Sequence, residues 1–207
     1  MPDVRRALDL APIAAGDLVF VLGPTGRHLG GSELARQRGL TLPGVPTTDL
    51  AAAAARYAAF AAARDAGLLR SAHVAGRGGL AVALAHMAMA GELGLEVALG
   101  DALLRPVPED MPLTPAEFLF SESTGRVVFT CKPAAAAELT ARLGAHGLQA
   151  LGQVAAAGPD GGGWLRVRRG EQALVDVPAA ALRERFRPSA LHGPPAPLPA
   201  QTQEVAR

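Results

Sequence analysis

The sequence predicts an α+β fold in which helices are layered on a mixed β-sheet. Short apolar strands alternate with helices along the chain, residues 125–156 have a strand–helix–strand pattern, and a hairpin pattern follows near the end. This alternation, with one hairpin added, is typical of a mixed sheet covered by helices. The hydrophobic fraction is 49% and the aromatic fraction only 4%, so Ala, Leu and Val must supply most of the core.

The helix starts and stops carry recognisable signals. Ser32 and Asp49 are suited to N-cap helices, and Gly39 and Gly67 are suited to end them. Thr114 is followed by Pro and, three residues after it, by Glu, which is the pattern of a capping box. In chain order we predict strand 17–23, helix 30–39, helix 50–66, strand 68–75, helix 80–91, strand 95–99, helix 114–123, strand 125–131, helix 133–147, strand 148–156, a hairpin over 164–178 and helix 179–186.

The chain divides into a domain over residues 1–187 and a tail over residues 188–207. The tail is rich in Pro and has no hydrophobic period, so we expect it to be disordered. The 207 residues are enough to bury a substantial core in one domain.

Composition excludes several classes of protein. The net charge is +1 and no basic stripe is present, so nothing indicates nucleic-acid binding. Cys131 is the single cysteine, which excludes an internal disulfide or a Cys-based zinc site. The N-terminus contains Asp3, Asp9 and Asp17 and makes a poor signal peptide, and the apolar run 80–91 is too short to span a bilayer. We therefore expect a soluble cytoplasmic protein without a membrane partner.

The loop of Gly76, Arg77, Gly78 and Gly79, between a strand and an apolar helix, is the first candidate site. Backbone N–H groups at a helix start bind phosphate well where no Cβ blocks the approach. The alternative is that Gly78 and Gly79 only permit a tight strand-to-helix turn, and spacing alone favours it. The loop is neither a Walker A motif nor a full dinucleotide fingerprint.

Other candidates have equally plain alternatives. His73 ends a predicted strand, where sites gather in α/β sheets, but a lone histidine is more often packed than catalytic. The sequence LGGSE (29–33) is suited to hold an oxyanion or simply to N-cap a helix. Glu122 and Arg126 flank a turn that chemistry alone describes as a solvated helix end. His86 has no metal-ligating neighbour one helical turn away, so a satisfied core or interface histidine is favoured.

Several motifs in one order carry a family resemblance. They are DVRRALDL…GDLVFVLG (3–23), LGGSELA (29–35), VPTTDL (45–50), AGLLRSAH (66–73), GGLAVALAHMAMAGELGLEV (78–97) and LFSESTGRVVF (119–129), with a weaker match over 151–177. Over residues 3 to 186 the chain resembles the C-terminal segment of the large synthetase subunit of phosphoribosylformylglycinamidine synthase, in the aminoimidazole ribonucleotide synthetase superfamily.

The resemblance implies a fold, a reaction and partners. The fold is that of the C-terminal domain of aminoimidazole ribonucleotide synthetase. The reaction converts formylglycinamide ribonucleotide, ATP and glutamine-derived ammonia to formylglycinamidine ribonucleotide, ADP and phosphate. The implied partners are the remaining synthetase domains (the barrel half), a glutaminase subunit and a small accessory subunit. The barrel half is absent from this chain, so the resemblance implies inactivity in isolation and an apolar face suited to self-association.

The glycine loop departs from the family pattern His-Asp-x-Ser-(Asp/Glu)-Gly-Gly-Leu. Val74, Gly76 and Arg77 stand at the Asp, Ser and second acidic positions, and His86 stands where the helix glutamate is expected. Family members use ATP or ADP with Mg²⁺, which needs oxygen ligands, so Mg²⁺ binding by this chain is doubtful and no metal ligand or catalytic residue is assigned. Arg77 instead offers a positive charge to a phosphate. The resemblance implies nucleotide or phosphate binding by His73, Gly76, Arg77, Gly78, Gly79, Gly30, Gly31 and Ser32, with Glu33, Ser121, Glu122 and Arg126 lining the cleft.

Two other functions remain open. The lost acidic residues are also consistent with a degenerate scaffold or interaction module that binds no nucleotide. A different enzyme of the superfamily, such as a relative of selenophosphate synthetase or thiamine monophosphate kinase, is disfavoured by LGGSE together with LFSES.

Overall fold

The computed structural model describes residues 4–105 and 111–186. The strands are β1 (Leu18–Leu22), β2 (Ser71–Ala75), β3 (Gly94–Ala98), β4 (Arg126–Cys131), β5 (Leu148–Ala155), β6 (Trp164–Arg169) and β7 (Gln172–Pro178). The helices are α1 (Glu33–Arg38), α2 (Leu50–Asp65), α3 (Gly79–Ala90), α4 (Pro115–Phe120), α5 (Ala136–Leu143) and α6 (Ala179–Phe186). Short 3₁₀ turns lie at Val4–Arg6, Pro133–Ala135 and Gly144–His146.

Within the described residues the strands form one sheet in the order β2-β4-β1-β5-β3-β6-β7. Strands β3 and β6 pair in parallel, whereas the other neighbouring pairs are antiparallel. The predicted α+β fold with a mixed sheet is therefore confirmed. Strand β2 is an edge strand, and it delivers the glycine loop to one end of the sheet.

Helices cover both faces of the sheet and enclose two apolar cores. Strand β1 shows the division, because Val19 and Val21 belong to one core whereas Phe20 and Leu22 belong to the other. This is the alternation that a strand buried on both faces must have. The larger core packs α3 and α4 on the sheet with part of α6, and the smaller one packs α2 and α5.

The predicted helix starts are confirmed. The side chains of Ser32 and Asp49 accept hydrogen bonds from Ala35 N and Ala52 N. Thr114 and Glu117 form the reciprocal capping box. These contacts satisfy N–H groups that have no partner inside their own helix.

Some predicted boundaries are wrong. The predicted helix 133–147 is a 3₁₀ turn, the shorter helix α5 and a second 3₁₀ turn, which ends at Gly147 in the left-handed conformation. The helix predicted over 114–123 ends at Phe120, because Ser121 already has extended geometry. The predicted disordered tail, 188–207, lies outside the described residues. In the described part of the chain, no helix is long and apolar enough to cross a membrane.

Candidate functional site

The glycine loop between β2 and α3 is shaped by packing. Gly78 and Gly79 have φ of 78° and 69°, in the left-handed region that favours glycine. A Cβ on Gly79 would lie 2.5 Å from Ser121 O and 2.7 Å from Leu119 O, whereas a Cβ on Gly76 would meet open space. Gly79 is therefore required by the close approach of α3 to the end of α4, as the packing alternative predicts.

Glu122 lies at the centre of the candidate site. Its Oε1 accepts hydrogen bonds from Gly78 N at 2.8 Å and from Glu33 N at 2.7 Å. These donors come from the start of α3 and the start of α1, so one carboxylate joins two segments 44 residues or more apart. The expectation of a solvated helix end is wrong here, because Glu122 is half-buried and its carboxylate holds two backbone donors.

The N–H groups of Gly78 and Gly79 both have acceptors inside the protein. Gly79 N donates to Gly76 O within the turn, and Gly78 N is held by Glu122. Backbone donors of this kind bind phosphates in other proteins. In this chain the N–H of Gly78 already has an internal acceptor, the Glu122 carboxylate.

The LGGSE segment brings the second glycine pair beside the loop. Gly30 N donates to Gly44 O at 3.0 Å, and a Cβ on Gly30 would lie 3.1 Å from Leu42 O. Gly31 has a left-handed φ of 70° and open space where a Cβ would point. Because Ser32 caps α1, the plain N-cap interpretation is confirmed for this segment.

Arg77 and Glu33 connect the two segments on the surface. Arg77 Nη2 donates to Glu33 Oε2 at 2.9 Å, although the Arg77 side chain is 82% exposed. Hydrogen bonds from Arg36, Gln37 and Arg77 lower the pKa of the Glu33 carboxyl to about 2. Exposed pairs of this kind stabilise a fold by about 0–1 kcal/mol. The Arg77 guanidinium can therefore leave Glu33 for a phosphate at little cost.

Ser121 and Arg126 were expected to line the cleft, but both side chains are fully buried in the structure. Arg126 donates to Thr25 Oγ1 at 3.0 Å, to Phe118 O at 3.4 Å and to Ser121 O. Burial lowers the pKa of Arg126 to about 10. The Ser121 hydroxyl accepts from His28 N at 2.7 Å. These two side chains hold the backbone beneath the loops in place and do not line an open surface.

His73 and His86 form a pair that the sequence did not indicate. His73 Nε2 lies 3.1 Å from His86 Nδ1, and the His86 ring also contacts Phe186 edge-on at 5.1 Å between centroids. Burial, and then the charge of His86, lower the pKa of His73. The expected satisfied histidine at position 86 is present. Its partner comes from β2 across the helix–sheet interface, and spacing along α3 gave no sign of it.

Sequence analysis also missed two hollows beside Arg56. One has a volume of about 580 Å³ and is bordered by Arg56, Thr25 and the turn 144–149, and the other has about 440 Å³ and is bordered by Arg56, Asp49 and Ser123. Arg56 is 8% exposed. Its one available signal was an arginine in the middle of the alanine-rich helix α2.

The residues around the glycine loop do not fit a magnesium ion. Val74, Gly76, Arg77 and His86 supply no carboxylate, and Glu122 already holds two backbone donors. Across residues 4–105 and 111–186, no group of three or more His, Cys, Asp or Glu is placed to hold a metal. Magnesium prefers several oxygen ligands, usually including carboxylates. We therefore derive no role for Mg²⁺ from these residues.

Comparison with known proteins decides the family. The family described as "AIR synthase related protein, C-terminal domain" matches residues 14–164. This chain belongs to that family. The resemblance inferred from the motifs is thus confirmed, and the AIR synthase C-terminal fold accounts for the mixed sheet and the position of the loops.

Individual relatives agree with this assignment. The phosphoribosylformylglycinamidine synthase subunit PurL of Thermococcus sibiricus is 38% identical over 115 residues, which cover 56% of this chain and 15% of that protein. T. maritima PurL complexed with FGAR matches with a TM-score of 0.70 at 25% identity, over 86% of this chain and 30% of that chain. T. maritima PurL complexed with ATP matches with a TM-score of 0.63 at 25% identity, over 86% and 27%. This chain therefore spans less than a third of each of these relatives.

Proposed function

We propose that this AIR synthase C-terminal domain is part of a synthetase that converts formylglycinamide ribonucleotide, ATP and glutamine-derived ammonia to formylglycinamidine ribonucleotide, ADP and phosphate. The observation that carries the proposal is the match to T. maritima PurL complexed with FGAR over 86% of this chain. The sequence matches to PurL subunits support the same assignment.

The domain contributes one wall of a composite site. The glycine loop and the LGGSE turn meet at the Glu122 carboxylate. In this proposal, the barrel half lies against this end of the sheet. Residues proposed to face a nucleotide or phosphate there are His73, Gly76, Arg77, Gly78, Gly79, Gly30, Gly31 and Ser32. Arg77 supplies positive charge, and the glycines leave space for a ligand to approach the backbone. Glu33 and Glu122 border this site and set the position of the two segments.

The activity requires partners that supply the rest of the site. We propose the barrel half of the synthetase as the direct neighbour, with the glutaminase and small accessory subunits delivering ammonia, in the cytoplasm. Large hydrophobic side chains that are mostly exposed include Val4, Val45, Leu50 and Met111. We propose that some of these side chains meet the barrel half and favour self-association of the isolated chain, as contiguous exposed apolar patches do.

A chimera tests this function. The isolated chain, mixed with formylglycinamide ribonucleotide, MgATP and ammonium, should release no phosphate above the blank. A PurL relative whose own matching segment is replaced by residues 14–164 of this chain should release phosphate. The same relative with that segment deleted is the control and should be inactive. Turnover by the isolated chain, or a chimera with native circular dichroism but no turnover, would contradict the proposal.

The alternative is a scaffold domain that binds no nucleotide. It is favoured by Val74, Arg77 and His86, which stand where the family pattern has acidic residues. Calorimetric titration of the chain with ADP, with and without Mg²⁺, separates the two. Binding of ADP that is independent of Mg²⁺ and is lost in Arg77→Gln supports a retained phosphate site. No heat in either titration, together with an inactive chimera, supports the scaffold.

A further inference from the structure

Arg56 is a buried cation without a charged partner. It belongs to α2 and is 8% exposed. Its Nε donates to His146 O at 3.2 Å, and within the described residues no carboxylate pairs with it and its other two nitrogens form no hydrogen bond. Burying a charge costs free energy unless the charge is paired and hydrogen-bonded. Among the described residues, no Arg56 nitrogen is both fully enclosed and without a partner, so the two terminal nitrogens are open to an anionic ligand, which would compensate the remaining cost.

The larger hollow beside Arg56 has the size of a small-molecule site. Its volume of about 580 Å³ lies within the ~300–1,000 Å³ typical of ligand pockets. Arg56 and Arg105 contribute positive charge, and no Asp or Glu is among its described lining residues. Ala52, Ala55 and Leu148 supply apolar walls. The hollow therefore combines a cationic end with an apolar body.

The second hollow differs in charge. It shares Arg56 with the first and has a volume of about 440 Å³. Asp49 lines it, and one oxygen of that carboxylate already accepts from Ala52 N at 3.0 Å. An anion therefore prefers the first hollow, where no carboxylate is among the described lining residues.

Thr25 offers a second donor at the larger hollow. Its Oγ1 accepts a hydrogen bond from Arg126 Nη1 at 3.0 Å, so the hydroxyl hydrogen is available to another acceptor. Thr25 is 6% exposed and lines the hollow together with Arg56. Its orientation is fixed by the buried Arg126, so little conformational entropy opposes ligand binding.

We propose that this hollow binds a small organic anion, whose phosphate or carboxylate group is held by Arg56 and Thr25. The planar guanidinium matches the two oxygens of either group. Ala52, Ala55 and Leu148 contact the organic part of the ligand. The residues that line this hollow do not include the loop of residues 76–79, so the test of this site does not depend on the synthetase reaction.

Titration of the full chain with ribose 5-phosphate, inorganic phosphate and malonate tests the proposal. In amide NMR spectra, signals of Thr25, Arg56 and residues 146–149 should shift in a saturable way. Arg56→Gln should weaken the binding about tenfold or more, because a charge-assisted hydrogen bond is lost. Ala55→Leu should weaken it as strongly by filling the hollow, and it leaves the core intact because Ala55 is exposed. Arg38→Gln, at an exposed arginine on α1, is the matched control and should bind like the wild type.

The outcomes are distinct. Binding of ribose 5-phosphate or malonate that is lost in both Arg56→Gln and Ala55→Leu supports the site, and the tighter probe identifies phosphate or carboxylate as the preferred group. If Arg56→Gln unfolds, Ala55→Leu decides. Equal binding by wild type and Ala55→Leu overturns the proposal, as do shifts confined to residues 76–79 or the absence of shifts with all three probes. Because no turnover is measured, this result is independent of the chimera test.

Discussion

Removal of the Glu122 carboxylate should separate the two segments that it joins. In Glu122→Ala, Gly78 N and Glu33 N lose their acceptor at 2.8 and 2.7 Å. A hydrogen bond to a charged group contributes ~1.5–3 kcal/mol when buried. Glu122 is half-buried, and water can reach part of the site after truncation. We therefore expect the free energy of unfolding to fall by about 2–3 kcal/mol, not by the full sum of the two bonds.

Urea unfolding followed by circular dichroism at neutral pH measures this change. With a slope of ~1–3 kcal/mol/M, the expected loss moves the midpoint down by about 1 M or more. Glu138→Ala is the matched control, since it removes an exposed carboxylate that pairs with Arg142 one turn along α5. That variant should lose about 0.5 kcal/mol or less.

Phosphate should rescue part of the loss. The two N–H groups exposed by Glu122→Ala form an anion site at a helix start, so phosphate should raise the midpoint of this variant more than that of the wild type. A Glu122→Ala protein within 0.5 kcal/mol of the wild type would show that the carboxylate does not hold the segments together. An equal phosphate response in the two proteins would show that Glu122 does not occupy an anion position.

Three further outcomes are expected. Arg126→Met removes the donors to Thr25, Phe118 and Ser121 in a fully buried site, and should destabilise the protein by about 3 kcal/mol in urea unfolding; a loss under 1 kcal/mol would contradict the structural role. Gly79→Ala places a Cβ against backbone oxygens at a left-handed φ, so it should lower the free energy of unfolding by about 3 kcal/mol or prevent folding. In Gly76→Ala the new Cβ meets open space, so the free energy of unfolding should change by about 0.5 kcal/mol or less. Similar losses in the two variants would refute the packing argument. The lowered pKa of His73 means that the unfolded chain binds a proton that the folded protein excludes, so stability should fall as pH drops below 6.5 and return above it. His73→Asn should reduce this slope in urea unfolding between about pH 5.5 and pH 8, and an unchanged slope would assign the dependence to other groups.

The local elements were predictable because their signals are local. A cap such as Ser32 or Asp49 satisfies N–H groups within three residues of itself, so its sequence neighbourhood contains the whole interaction. The same holds for the capping box at Thr114. The predicted helix 133–147 failed because apolar periodicity does not register the change from α to 3₁₀ geometry at its ends.

The candidate site was only partly predictable. Family resemblance marked the two loops that meet at Glu122, but it gave Ser121 and Arg126 the same status as Glu122. Burial separates them, since Arg126 is fully enclosed whereas Glu122 reaches the surface of the site. The His73–His86 pair and the position of Arg56 involve contacts between elements, and no spacing along one helix or strand indicates such contacts.

The sequence by itself determined the α+β class, the helix starts, the family resemblance and the absence of carboxylates at Val74 and Arg77. Only the tertiary structure decided which side chain binds the glycine loop. Glu122 reaches Gly78 and Glu33 across 44 and 89 residues of chain, and only the sheet order places these segments together. Local backbone preferences fix caps and turns, whereas the identity of a buried charge's partner depends on which distant elements the core brings into contact.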